Sequence, residues 1–185
     1  MVSAATVWNE LVDRRPDLAE VLLQPYYRDR LGDQAPWQIP YYMMPLFMPC
    51  AGHMTVSYVR RFIESAPVHE GVPALTPAQI EALDLVDELA YDPRLKLDMD
   101  FQLGDIQFVN NLVTLHTRTE YEDWPDEERK RHLFRLWLSV PDGWPLPQPF
   151  LDRNGTDPST GRSVGINLRP GVAPNAPLDA GELVA

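Results

Sequence analysis

The run from Arg131 to Val140, RHLFRLWLSV, constrains the fold of this chain more than any other stretch. Read at the two-residue period of a strand, it puts His132, Phe134, Leu136 and Leu138 on one face and Leu133, Arg135 and Trp137 on the other. Both faces are mostly apolar, so the pattern predicts a strand over 131–140 buried on both sides. Arg135 would then sit among large apolar neighbours, where an unpaired guanidinium costs several kcal/mol. It would need an anion, and a carboxylate taken bidentately by the guanidinium fork is the natural partner. That carboxylate could belong to a ligand or to a structural ion pair within the chain.

The stretch before it, Gly104 to Lys130, adds a second strand-like run and an acidic loop. Leu95, Leu97, Met99 and Phe101 alternate with Lys96, Asp98 and Asp100, which predicts a half-exposed strand, and Gly104-Asp105 turns the chain into another over Ile106–Val109. Helices are expected upstream. Ser3 to Val12 and Asp17 to Leu23 carry helical spacing, with Pro16 able to start the second. Tyr58 to Ser65 reads as a short helix ended by Pro67. Thr76-Pro77 is a cap and first-turn pair for an amphipathic helix to Ala90, with Ile80, Leu83, Leu85, Val86 and Leu89 apolar. Between them, Pro25 to Cys50 is rich in aromatics and prolines, which suits irregular edge strands and loops. Tyr41 to Phe47 in that stretch either packs or lines a pocket, and packing is favoured. After Pro141 the chain loses periodicity, and 151–185 is expected to be an extended or poorly ordered tail.

Length and charge set outer bounds. With 185 residues of which 44% are hydrophobic, the chain can build one domain with a substantial core. A net charge of -11 argues against nucleic acid or an anionic membrane surface as partner, since both demand a basic face. No window approaches the roughly 18 apolar residues of a membrane-spanning helix, and the first 23 residues lack the pattern of a secretion signal. The single cysteine, Cys50, permits no internal disulfide, and a cytoplasmic setting with a packed thiol is the expectation.

The four histidines limit what metal chemistry the spacing alone can support. Non-haem iron is commonly held by two histidines and a carboxylate, two of them arriving as His-x-Asp or His-x-Glu on one strand face. None of His53, His69, His116 or His132 is followed by an acid at the second position. His116 lies four residues before Glu120, but on the strand expected around Val113-Thr114-Leu115 that pair would be about 13 Å apart, and on spacing alone a hydrogen-bonded core histidine is favoured over a ligand. Asp98 and Asp100 fall on the polar face of their expected strand and read as solvated rather than as substitute ligands.

Several motifs together resemble the taurine catabolism dioxygenase (TauD/TfdA) family, the clavaminate-synthase-like Fe(II)/2-oxoglutarate oxygenases. They are Gly104-Asp105-Ile106-Gln107-Phe108 with Asn110-Asn111, Leu115-His116-Thr117-Arg118-Thr119, Glu122-Asp123, and Arg131 to Leu138. Upstream, Trp8-Asn9-Glu10-Leu11, Arg15-Pro16-Asp17-Leu18, Tyr58 to Ile63 and Leu75-Thr76-Pro77 extend the likeness to roughly Ser3–Pro147. The resemblance implies an α+β fold with part of a double-stranded β-helix (jelly roll), residues 1–150 forming the C-terminal portion of such an oxygenase domain. It implies His116 as the distal iron ligand and Arg135 as the group that binds the far carboxylate of 2-oxoglutarate, with Arg131 the weaker candidate. The implied reaction is hydroxylation of a small organic substrate with Fe(II) and 2-oxoglutarate as cofactors.

The family's His-x-Asp pair normally precedes the part resembled here. The simplest expectation is a partial family member, catalytically incomplete as it stands, whose exposed strand edges favour self-association. The alternative is a non-catalytic binding or structural module derived from the same fold.

Overall fold

The computed structural model describes residues 1–34, 36–138, 140 and 143–154. Its elements run β1 (Val2–Ser3), α1 (Ala4–Arg14), α2 (Pro16–Leu22), β2 (Tyr26–Asp29), β3 (Tyr41–Met44), β4 (Phe47–Cys50), β5 (His53–Val56), α3 (Arg60–Ser65), α4 (Pro77–Tyr91), β6 (Thr114–Leu115) and α5 (Gln148–Asn154), with single 3-10 turns at Ala66–Val68 and Glu127–Arg129.

The helices form where the sequence supplies both a cap and an apolar stripe. Ser3 caps α1 by accepting from the Thr6 amide, and Ala4, Val7 and Leu11, on one face at helical spacing, are buried. Pro16 occupies the first turn of α2, where its missing N–H costs nothing, and Leu18, Ala19 and Leu22 face inward. In α4, Thr76 Oγ1 accepts from the Gln79 amide while Gln79 Oε1 accepts from the Thr76 amide, a complete capping box. Ala82, Leu83, Val86 and Leu89 of α4 pack with α1 and α2 into the main core, joined by Phe47, Val56 and Ile63. Each large aliphatic side chain fully buried there contributes about 1.5–3 kcal/mol.

The strands form three separate antiparallel pairs: β1 with β6, β2 with β3, and β4 with β5. The β4–β5 hairpin turns at Ala51 and Gly52, both at positive φ (48° and 80°), which matches the right-handed twist of the flanking strands. Phe47 of this hairpin packs on Trp8 of α1, ring centroids 5.1 Å apart. The β2–β3 pairing sets Tyr26 opposite Met44 and Arg28 opposite Tyr42. Tyr42, Met44, Met48 and Phe150 make a second, smaller core between this hairpin and α5.

The α+β content agrees with the sequence reading, and the helices fall where expected. The strands do not. Residues 95–101 and 106–109 are not strands, and 131–138, expected as a strand buried on both faces, is extended chain without ladder partners. Phe134, Leu136 and Trp137 are 77%, 65% and 66% exposed, and Arg135 is exposed as well, so its expected burial is overturned. The physical reason is that alternation specifies which faces a strand would bury but not what it pairs with. Among the described residues these runs have no neighbouring strand. Residues 151–154, placed in the tail by sequence, complete α5; the rest of the expected tail, from 155 onward, lies outside the described residues. Among the described residues no helix is long and apolar enough to cross a membrane.

Candidate functional site

His116 is placed by the shortest sheet among the described residues. Ser3 and Val2 pair with Thr114 and Leu115, the Ala4 amide donates to the Val113 carbonyl at 2.9 Å, and the Val56 amide donates to the Leu112 carbonyl at 2.7 Å. Asn110 starts this segment by accepting the Leu112 amide on its side chain, a local turn that Asn favours. His116 follows at once and is exposed, not the core histidine that spacing favours, because β6 ends at Leu115 and nothing among the described residues covers the side chain beyond it. The backbone is thus held from two sides up to Leu115, and the imidazole projects just past the last paired residue.

The acidic loop after it folds on its own aromatics. The guanidinium carbons of Arg118 and Arg131 lie 4.7 and 5.5 Å from the Tyr121 ring centroid, and that of Arg129 lies 3.5 Å from Trp124. Asp123 accepts the Arg131 amide at 2.9 Å. A shallow recess is lined by Arg118, Glu120, Tyr121 and Glu122. Arg131 is therefore brought to the loop that starts at His116. Arg135 is not: among the described residues no hydrogen bond or ion pair joins it to His116, to Arg131 or to a carboxylate.

The other histidines are engaged elsewhere. His53 stacks on Trp144 (3.7 Å, 5° between planes), and His69 Nε2 lies 2.9 Å from Asp29 Oδ1. Burial pushes the Asp29 carboxyl up, but the bonds from His69, the Leu31 amide and Ser65 outweigh it and hold the group below its ordinary value. Cys50 is half-buried, its thiol 3.5 Å from the Pro145 carbonyl oxygen, as expected of a packed thiol. Asp98 is exposed and paired with Lys96, as a solvated acid. Among the described residues no three His, Cys, Asp or Glu side chains converge as metal ligands. One exposed imidazole cannot hold iron, so the described residues of this chain do not by themselves fit that cofactor.

A polar constellation that the sequence reading missed lies on the β2–β3 hairpin. Alternation sends Tyr27 and Asp29 to one side, with Tyr41 and His69, and Tyr26, Arg28 and Arg30 to the other. Arg28 is 1% exposed, yet it donates only to neutral acceptors: Ser57 Oγ (2.9 Å), the Ser57 carbonyl (2.7 Å) and the Pro45 carbonyl (2.8 Å). Burial pulls its pKa down to about 10, and burial likewise pushes the Tyr26 phenol up to about 12. The signal was available as Tyr-x-Arg-x-Arg at strand period, hidden in a proline- and aromatic-rich stretch read as irregular.

Comparison with known proteins gives the class. The chain matches the family described as "Taurine catabolism dioxygenase TauD, TfdA family" over residues 1–137, and it belongs to that family. The family implies a jelly-roll fold and is generally dependent on Fe(II) and 2-oxoglutarate. Among individual relatives, the chain is 33% identical over 159 residues to the "Taurine hydroxylase-like protein SAT17" of Stachybotrys chartarum, covering 83% of this chain and 39% of that protein. It is 30% identical over 150 residues to the "FR-33289 synthase" of Streptomyces rubellomurinus, covering 80% of this chain and 44% of that protein. The chain thus spans less than half the length of these curated relatives.

Proposed function

We propose that this chain is the C-terminal portion of an Fe(II)/2-oxoglutarate-dependent dioxygenase that hydroxylates a small organic molecule, with the remaining ligands supplied by polypeptide outside it. The observation that carries this reading is the coincidence of two boundaries. The family match runs to residue 137, through the strand-patterned segment, and that same segment stands without ladder partners and with Phe134, Leu136 and Trp137 exposed. A sequence that alternates like a buried strand while lacking a sheet to join is what one part of a larger β-structure presents.

In this reading Arg135 takes a carboxylate of 2-oxoglutarate, with Arg131 nearer the loop as the weaker alternative, and His116 is this chain's contribution to the iron site. Iron would supply the oxidising chemistry once its ligand set is complete. What the chain itself provides is position: β6 holds the backbone before His116, and the strand-patterned run carries Arg135 toward whatever sheet it joins.

The test is an assay of 2-oxoglutarate-dependent succinate release. The 185-residue chain alone is expected to give none. A longer polypeptide that includes adjoining in-frame coding sequence with a His-x-Asp pair is expected to give turnover. In that longer protein Arg135→Lys should raise the 2-oxoglutarate requirement by about one to two powers of ten, because a bidentate contact becomes a single-point one. Succinate release by the 185-residue chain alone would show that the proposed division of ligands is wrong.

A further inference from the structure

The β2–β3 hairpin carries a row of hydrogen-bond donors that the described residues leave unanswered. Tyr26 Oη, Arg28 Nε and Arg30 Nε are all buried atoms without a hydrogen-bond partner; Tyr26 and Arg28 share one face of β2, and Arg30, just past its end, continues the same alternation. Arg30 continues the β2 ladder through its amide, which donates to the Pro40 carbonyl at 2.8 Å. The opposite strand presents Tyr42, and two guanidinium carbons lie close to its ring: Arg30 at 5.0 Å and Arg153, from α5, at 4.9 Å. Arg28 is the register partner of Tyr42. Three arginines therefore surround a single tyrosine, and among the described residues none of the three is paired with a carboxylate. Asp29, next to Arg28 and Arg30, faces the other side of the hairpin and is engaged by His69, and Asp152, next to Arg153, accepts from Gln148 Nε2 at 2.8 Å.

Such an arrangement is unfavourable unless something completes it. Like charges repel, a buried cation loses its hydration, and each orphaned buried donor forfeits a hydrogen bond that water would have given it. Negatively charged acceptor oxygens at Arg30 and Arg153 would offset the repulsion among the three cations and the lost hydration together. Arg28, fully enclosed, can act only as a fixed positive charge behind the site, whereas Arg30 and Arg153 are half-buried and can reach a ligand arriving from solvent.

We propose that this face of the hairpin, with Arg30 and Arg153 at its mouth and Arg28 behind, binds the oxyanion group of a small molecule, of the carboxylate, sulfonate or phosphate type. The site is separate from the His116 loop and stands whether or not the chain takes part in iron chemistry.

The experiment titrates the full 185-residue chain with sodium sulfate and, separately, sodium phosphate, at ionic strength held constant with sodium chloride, and reads heat of binding and thermal stability. Saturable binding with a rise in melting temperature is expected for at least one of the two ions. Arg30→Gln and Arg153→Gln should each weaken it about tenfold or more, since each removes a charge-assisted contact. Arg129→Gln, which removes a cation stacked on Trp124 elsewhere, should leave it unchanged. Far-UV circular dichroism checks that each variant is folded, and with two independent half-buried arginines the test survives the loss of one variant. No saturable binding, or binding to which Arg30→Gln and Arg153→Gln are both indifferent, overturns the proposal.

Discussion

Truncating the strand-patterned segment side chain by side chain separates an exposed run from a buried one by a wide margin. In the structure Leu136 and Leu138 are 65% and 68% exposed, so only about a third of each side chain is removed from water. At about 1.5–3 kcal/mol for complete burial, each leucine contributes about 0.5–1 kcal/mol, and Leu136→Ala with Leu138→Ala together should cost about 1–2 kcal/mol. Were the run a strand buried on both faces, each truncation would cost about 2–5 kcal/mol through lost transfer energy and the cavity left behind. The pair would then cost about 4–10 kcal/mol, comparable with the about 5–15 kcal/mol that holds a typical domain folded. The assay is a urea titration and a thermal melt of the single and double variants of the 185-residue chain. For a protein of this size 1 kcal/mol corresponds to about 2–4 °C, so each single variant should melt no more than about 4 °C lower. A double variant that fails to fold would refute the exposed placement. In a longer protein that supplies the partner strands, the same substitutions should move into the buried range, which links this measurement to the proposed function.

Thr76→Ala, which removes half of the α4 capping box, should cost about 1 kcal/mol, read as a fall of about 2–4 °C in melting temperature. Leu83→Ala, at a fully buried position of α4, should cost about 3–5 kcal/mol by urea titration; a loss below about 1 kcal/mol would mean that α4 does not pack as described. Because the Asp29 carboxyl is held below its ordinary value in the folded chain, its contribution is complete above the unfolded pKa near 3.8 and is lost as pH falls through the folded value. Asp29→Asn should therefore destabilise by about 1–3 kcal/mol at pH 6, with the gap to the parent protein closing only below about pH 4. Iron(II) should bind the 185-residue chain no more tightly than about millimolar by equilibrium dialysis, with His116→Ala making no difference; stoichiometric micromolar binding lost in that variant would reveal converging ligands.

What the sequence disclosed follows the range of the interactions involved. Helices α1, α2 and α4 were legible because their determinants are local: Ser3, Pro16 and Thr76 mark the starts, and apolar residues three and four apart mark the buried face. The run from Arg131 to Leu138 was misread because a strand is defined by its neighbour, and alternation at period two carries no information on whether that neighbour is present. The same alternation predicts Arg135 in a core, whereas among the described residues it is exposed. Arg28, by contrast, is a guanidinium that the described residues enclose without a carboxylate. In the sequence Pro25, Pro40 and Pro45 point to irregular chain around it, whereas these prolines flank the β2–β3 ladder and leave its register intact.

The pairing of β1 with β6 joins the two ends of a loop of more than a hundred residues with only two residues on each strand. Closing so long a loop is entropically costly, and so short a ladder returns little, so this latch should form last in folding and open first in the native state. Val113, Thr114 and Leu115 should accordingly exchange their amide hydrogens faster than the interior of α4, through openings that leave the helical core intact. The backbone that carries His116 would then be released and recaptured many times within the lifetime of a single folded molecule.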